Sequence, residues 1–366
     1  MDYSGRSKKL QAIIRRKKLD GILIGQPENR RYLSGYTGRD HSIGESAGCL
    51  LICAHGDNYL LTDFRYEIQA KQEVNNATVL LYPKGLTALV SKIAAEIGLK
   101  RMGFESHYML HSSALNLIRS CRKADITAIP TTDIVEKMRL VKDDEEIGKI
   151  RNSVRLNEQV FQEVLPSIDP DCTEQDVAAR IASKMREKGA ESASFDTIVA
   201  TGCNSALPHA VPGLRTIEKN QPLMIDMGLI LAGYCSDMTR TMVVGSADDR
   251  YLEVHRLVRR AQLAAIDYIR PGITMAAVDR VARSIIEDGG YGKNFGHALG
   301  HGVGLAVHEK PSLSARSRMK LRSGMVMTVE PGVYIKDWGG VRLEDMVVVT
   351  EDGCEVLNRD TTLLDQ

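Results

Sequence analysis

Along the first 130 or so residues the apolar positions switch between two periods. LQAIIRRKKL places Leu10, Ile13 and Ile14 at helical spacing, whereas GILIG at 21–25 is the unbroken apolar run of a short buried strand. GCLLICA and NYLLT flank the turn-forming residues His55-Gly56-Asp57-Asn58, which predicts a hairpin. ATVLLYP, TALVSKIAAEIGL and RMGFES continue the alternation, so this stretch reads as an α/β domain. Its glycines are dispersed as turn punctuation and form no phosphate-binding loop. The charged run TTDIVEKMRLVKDDEEIGKI marks a boundary, giving expected domains of 1–135 and 136–366.

The second domain shows one pattern twice. Helical periodicity over about 143–168 and 173–189, with Thr173 as a cap, precedes the strand-rich FDTIVATG and PLMIDMGLILAGYCSDMTRTMVVG. Helices over about 249–269 and 274–288 then precede GMVMTVEPGVYI and GGVRLEDMVVVTEDGCEVL. A helix pair followed by a hairpin, done twice, predicts an internally duplicated α+β domain.

Composition narrows the class. At 366 residues the chain suits two domains, and 43% hydrophobic with 26% charged residues excludes a collagen-like or disordered protein. No apolar run approaches the roughly 18 residues that span a bilayer, and the basic start lacks the apolar stretch of a signal peptide. The expectation is a cytoplasmic protein with no membrane partner. Seven cysteines, an odd number without a CxxC pair, read as reduced thiols and not as a zinc site. The net charge of +1 hides a split: residues 1–140 carry 21 basic and 14 acidic side chains, whereas 141–366 carry 27 and 33. The basic half has its charges spread without aromatic interleaving, which argues against nucleic acid.

The acidic half holds the candidate chemistry. Asp226 in LMIDMG and Asp237 in CSDMTRT lie in the first strand-rich block, and Glu330 in MTVEPG and Glu344 in VRLEDMV in the second. An unpaired buried carboxylate costs several kcal/mol, roughly, so something must compensate. One such acid is ordinarily a partnered residue, but four placed symmetrically in two hairpins are harder to account for. Arg240 and Arg342 do not balance them; divalent metal would. Between the acid pairs lies FGHALGHGVGLAVHEKP, with His297, His301 and His308 among Gly296, Gly300, Gly302 and Gly304, and His209 precedes Asp226 in LPHAVPG. Hard oxygen donors with a borderline nitrogen suit Mn²⁺, Co²⁺ or Zn²⁺. Four carboxylates exceed the needs of one catalytic ion, so the residues point to a dinuclear metallohydrolase.

The segments LPHAVPG, IDMGLILAGYCSDMTRT, FGHALGHGVGLAVHE, TVEPGVYI and GGVRLED, in that order, resemble the proline-specific metallopeptidases: Xaa-Pro dipeptidase (prolidase) and aminopeptidase P, relatives of methionine aminopeptidase. The resemblance covers essentially the whole chain. It implies a creatinase-type N-terminal α/β domain before a pita-bread catalytic domain, and a homodimer. It also implies two divalent ions, Mn²⁺ or Co²⁺ before Zn²⁺. Asp226 would hold one ion, His301 and Glu330 the other, and Asp237 and Glu344 would bridge them. A bridging hydroxide would attack the carbonyl of an Xaa-Pro bond, with Glu330 passing the proton to the leaving nitrogen. His209 and His308 match the family's substrate histidines, His297 a histidine on the proline side, and Arg342 a residue that orients a carboxylate. Tyr334 is a weaker match for substrate contact.

One departure bears on specificity. Where many prolidases carry an arginine after the HExP stretch, this chain reads HEKPSLS with Ser312. Loss of a bidentate cation weakens selection for a dipeptide carboxylate. The sequence alone therefore favours aminopeptidase P-like cleavage of peptides with proline second, with the dipeptidase as alternative; Arg39, in GYTGRDHS, is a candidate replacement cation reaching a partner's active site. A non-catalytic binding module on the same fold is disfavoured by the full ligand set, and a methionine aminopeptidase by the extra N-terminal domain. Two divalent ions would bring the second half from −6 to about −2, which makes the charge split largely a trace of the site.

Overall fold

The computed structural model describes residues 1–83 and 85–365. The chain forms two compact units, Met1–Arg139 and Leu140–Gln366. In the first, strands β1 (Gly21–Ile24), β2 (Cys49–Cys53), β3 (Tyr59–Thr62), β4 (Thr78–Leu81), β5 (Arg101–Glu105) and β6 (Thr127–Thr131) form one sheet in the order β4-β3-β2-β1-β5-β6. The expected hairpin is β2–β3, with Cys49 opposite Leu61. β1 runs antiparallel to β2 and parallel to β5, so the sheet is mixed. The helices are α1 (Tyr3–Arg16), α2 (Pro27–Ser34), α3 (Glu67–Glu73), α4 (Leu86–Glu96), α5 (His111–Lys123) and the short α6 (Glu136–Arg139). Asp2 caps α1 by accepting from the Gly5 amide at 2.8 Å, and Leu10 and Ile14, one turn apart, are fully buried. Leu23, Leu51 and Phe104 of the sheet pack with Val90 of α4 and Leu117 of α5.

The second unit is the duplicated α+β domain. Its first half has α7 (Asp144–Val164), α8 (Glu174–Glu187), then β7 (Ser192–Ala193), β8 (Ile198–Thr201), β9 (Pro222–Met227), β10 (Leu229–Leu231), β11 (Tyr234–Cys235) and β12 (Met238–Val243). Its second half has α9 (Asp249–Tyr268), α10 (Met275–Asp288), then β13 (Gly300–Gly302), β14 (Glu309–Leu313), β15 (Val326–Val329), β16 (Gly332–Ile335), β17 (Gly339–Arg342), β18 (Asp345–Val349) and β19 (Cys354–Val356). The sheets run β12-β9-β8 and β11-β10-β7 in the first half, and β14-β13-β15-β18-β19 and β16-β17 in the second. Capping boxes start both helices of the first pair: Asp143 with Glu146, and Thr173 with Asp176.

Two departures from the sequence pattern have plain causes. The first long helix stops at Val164 and tightens into a 3-10 turn over Leu165–Ser167, because Pro166 has no amide hydrogen to continue it. The run from Pro222 to Val243 is not one hairpin. It breaks at Gly228, where a Cβ would overlap the Ser236 carbonyl. The β10–β11 ribbon follows, turning through Ala232 and Gly233, both at positive φ. Among the described residues no helix is long and apolar enough to cross a membrane, and all seven cysteines are free.

The alternation of β9 decides where the chemistry goes. Leu223, Ile225 and Met227 point into the core that includes Val177 and Ile181 of α8. Met224 and Asp226 take the other face, where Met224 packs with Ile198 and Ala210. A one-residue slip would exchange the faces. Ile225→Ala, at a side chain 1% exposed, should cost about 2–5 kcal/mol. Calorimetry should show this unit's unfolding midpoint falling by roughly 4–20 °C; a shift below about 1 °C would contradict this packing.

Candidate metal centre

The two halves of the second unit meet where their acids lie. On β12, Thr239 pairs with Asp226 of β9, and the Thr239 carbonyl accepts from the Glu344 amide at 3.1 Å. Thr241 and Arg342 are linked in the same way: the Thr241 hydroxyl donates to the Arg342 carbonyl at 2.9 Å and accepts from its amide at 3.1 Å. These contacts bring β12 against the end of β17. Glu330 follows β15, and its amide donates to the Leu299 carbonyl at 2.8 Å, just before His301 in β13.

The result is a cavity of about 440 Å³. Asp226, Asp237, His301, Glu330 and Glu344 all line it, and so do His209, His297, His308 and Arg342. Tyr334 stands behind them, its hydroxyl accepting from Arg342 Nη1 at 2.8 Å and lying 2.9 Å from His297 Nε2. His301 Nε2 is 3.3 Å from Glu330 Oε1 and 3.6 Å from Asp237 Oδ2. The rings of His301 and His308 meet edge to face at 4.1 Å between centroids.

Charge in this cavity is unbalanced. Arg342 Nη2 binds Asp226 Oδ2 at 2.6 Å, and its other nitrogens reach Thr239 Oγ1 and the Pro208 carbonyl. Arg240 does not help: its guanidinium is buried against Asp345 Oδ1 and the Glu344 and Asp360 carbonyls. Burial, then the surrounding carboxylates, push Asp237 and Glu344 well above the ordinary carboxylate range. Burial also raises Glu330 to about 7. The three histidines of the glycine-rich run move the other way. Burial lowers His297 and His301 to about 4, and lowers His308 as well. His301 is therefore a neutral imidazole at pH 7, the form that ligates metal.

The arrangement fits divalent metal on its own terms. Asp226 Oδ1 and Glu344 Oε1 are buried oxygens without a hydrogen-bond partner, which is costly unless a cation completes them. Asp237, His301 and Glu344 each present a donor atom within 4.8 Å of the others. Two threonines, not singled out in the sequence, orient the acids. Thr239 donates to Glu344 Oε2 at 2.6 Å, and Thr328 donates to Glu330 Oε1 at 3.0 Å while accepting from the His301 amide at 3.1 Å. Their signal was faint, a hydroxyl two residues from an acid beside a strand: Thr239 after Asp237, Thr328 before Glu330.

Buried acids around an imidazole in a substrate-sized pocket, set in a duplicated α+β domain that follows an α/β domain along the chain, define a metallopeptidase architecture. The family model described as metallopeptidase family M24 matches residues 148–351, and that of the Creatinase/Prolidase N-terminal domain matches 6–141. The Xaa-Pro dipeptidase of Pyrococcus horikoshii is 35% identical over 96% of each chain. Among solved structures, an Xaa-Pro dipeptidase from Bacillus anthracis superposes with a TM-score of 0.92 at 36% identity over 98% of both chains. An X-Pro aminopeptidase from Thermotoga maritima gives 0.85 at 36% identity, over 94% of this chain and 96% of the other. The chain belongs to metallopeptidase family M24, with the creatinase-type N-terminal domain and pita-bread catalytic domain of that group.

The raised carboxyls make a pH prediction. A group whose folded pKa lies above its unfolded value stabilises the fold at low pH and loses that contribution as pH rises through the folded pKa. For Glu330 the window runs from the ordinary 4.5 to about 7. The lowered histidines act in the opposite sense up to their ordinary 6.5, so metal-free protein should lose thermal stability as pH rises above about 6.5, through Glu330 near 7 and the higher Asp237 and Glu344, and excess Mn²⁺ should restore it at the upper end. A metal-free midpoint that rises across this window, or one indifferent to metal at its upper end, would contradict the site described.

Proposed function

We propose that this chain is an Xaa-Pro dipeptidase of the prolidase type, working as a homodimer with two divalent ions, Mn²⁺ or Co²⁺, per active site. The observation that carries the hydrolytic reading is the cavity that Asp226, Asp237, Glu330 and Glu344 line together with His301, with two acid oxygens unpartnered. The dipeptide preference is supported by the Pyrococcus and Bacillus relatives, whose names specify Xaa-Pro dipeptidase. This reverses the order that Ser312 suggested. The aminopeptidase reading keeps two supports: Ser312 lines the cavity, and the Thermotoga neighbour is an X-Pro aminopeptidase.

Asp226, Asp237, His301, Glu330 and Glu344 would hold the ions, with Asp237 and Glu344 shared between them. Bound there, the ions supply Lewis acidity toward a peptide carbonyl and ease deprotonation of water at neutral pH. The rest falls to this chain's own groups. Glu330, fixed by Thr328, would take a proton and pass it to the leaving proline nitrogen. His209 and His308 would donate to the oxygen that gains charge at the scissile carbonyl. His297, held on Tyr334 and against the edge of Phe295, would form the proline side of the pocket. Arg342 holds Asp226 in place through Nη2 while its Nη1 ties the Pro208 carbonyl beside His209.

Two outcomes follow. With Mn²⁺, kcat/KM for Ala-Pro should exceed that for Ala-Pro-Ala by about tenfold or more; a preference for the tripeptide would establish the aminopeptidase reading instead. Asp237→Ala and Glu344→Ala should each lower kcat by at least about 10³-fold at saturating metal. Substantial turnover in either variant would count against a shared dinuclear site.

A further inference from the structure

His209 sits on a segment with little structure of its own. From Leu207 to Leu214 the chain forms neither helix nor strand. Leu207, Val211 and Leu214 are largely exposed, at 56%, 84% and 82%. Only Ala210 is buried, beside Met224 and Ile198. Apolar packing therefore does little to hold this loop over the cavity; Arg342 ties it at the Pro208 carbonyl, and polar contacts hold its ends.

Those contacts converge on one side chain. Glu174 opens α8 directly after its cap, and it is 1% exposed. Its Oε1 accepts from the Thr201 amide at 2.8 Å and from Asn204 Nδ2 at 2.8 Å. Its Oε2 accepts from Asn204 Nδ2 at 3.0 Å and from the Gly213 amide at 3.1 Å. The backbone repeats the link, because the Glu174 amide donates to the Arg215 carbonyl at 2.9 Å and the Gln175 amide to the Gly213 carbonyl at 3.0 Å. One carboxylate thus ties the chain before His209, at 201 and 204, to the chain after it, at 213. Every group facing it is a donor, an arrangement that only an acceptor on both oxygens satisfies.

We infer that Glu174 is a positioning residue for the reaction: it straps both ends of the 204–213 loop and so holds His209 at the cavity. The inference rests on the catalytic reading of His209 above. An amide in its place would offer one acceptor, and its NH₂ would oppose an N–H donor, leaving a buried conflict with almost no change in size. A residue that acts through His209 has no further effect once His209 is gone, whereas a general weakening of the fold adds to it.

The test is a double-mutant cycle on the full-length Mn²⁺-loaded enzyme, with Ala-Pro as substrate. Glu174→Gln should lower kcat/KM by about tenfold or more while bound Mn²⁺ is unchanged, and by less than about twofold in the His209→Ala background. An equal loss in both backgrounds, or no loss in the first, would overturn the strap. If Glu174→Gln does not yield folded protein, Asn204→Ala, which removes two of the four side-chain contacts, carries the same cycle with the same outcomes. Should His209→Ala alone retain full activity, the catalytic reading of His209 fails, and limited proteolysis decides the strap separately. Cleavage within 207–214 should be faster in Glu174→Gln than in wild type, and equal rates would overturn it.

Discussion

Asp226, Asp237, Glu330 and Glu344 share one cavity in which Arg342 is, among the described residues, the one guanidinium, and the surrounding structure answers to that imbalance. Like charges at close range in a poorly solvated site repel strongly, and here the repulsion appears as acids pushed toward protonation and as oxygens with no protein partner. Arg342 relieves one acid directly. Thr239 and Thr328 fix a second and a third by donating single hydrogen bonds that leave the remaining lone pairs free. A fold that filled those lone pairs with its own donors would be more stable without metal and would have no use for it. The unmet demand is the functional property.

The duplicated fold is what makes this imbalance achievable. Each half contributes a helix pair that buries one face of its strands, which leaves the opposite face and the strand ends free to carry acids. Because successive residues alternate, Ile225 can sit in the core while Asp226 faces the cavity, one bond along the chain. The join between β12 and the end of β17 then places the acids of one half beside those of the other. Histidines from the loops between the strands close the cavity around them. His301 is the bridge between the two kinds of element, since its amide is tied to Thr328 and its ring faces both Glu330 and Asp237.

Much of this was legible in the sequence, for a definite reason. Acids in apolar strands and glycines around histidines violate local preferences, and such violations stand out in a one-dimensional reading. The ten-residue gap between Asp226 and Asp237 and the helix-pair rhythm were also local. What the sequence could not supply is register. Arg240 and Arg342 looked equivalent as counter-charges, yet Arg240 lies opposite Ile225 and serves Asp345, whereas Arg342 reaches Asp226. Thr239 is an unremarkable strand threonine until the register sets it opposite Asp226 and the fold brings Glu344 to its hydroxyl. Glu174 reads as an ordinary first-turn acid; its partners lie 27 to 39 residues away and become visible only when the loop closes. Ser312 shows the converse limit, because a missing cation in one segment says nothing about cations supplied from elsewhere.

The proposal on which the rest turns is that the four acids and His301 would hold two ions, with Asp237 and Glu344 shared between them. The most direct measurement is the anomalous scattering of crystals of the full chain grown with Mn²⁺, recorded at the manganese edge. The account predicts two peaks in the cavity, both within coordinating distance of Asp237 and Glu344, with His301 and Glu330 on one and Asp226 on the other. A single peak, or two peaks of which neither acid contacts both, would contradict it.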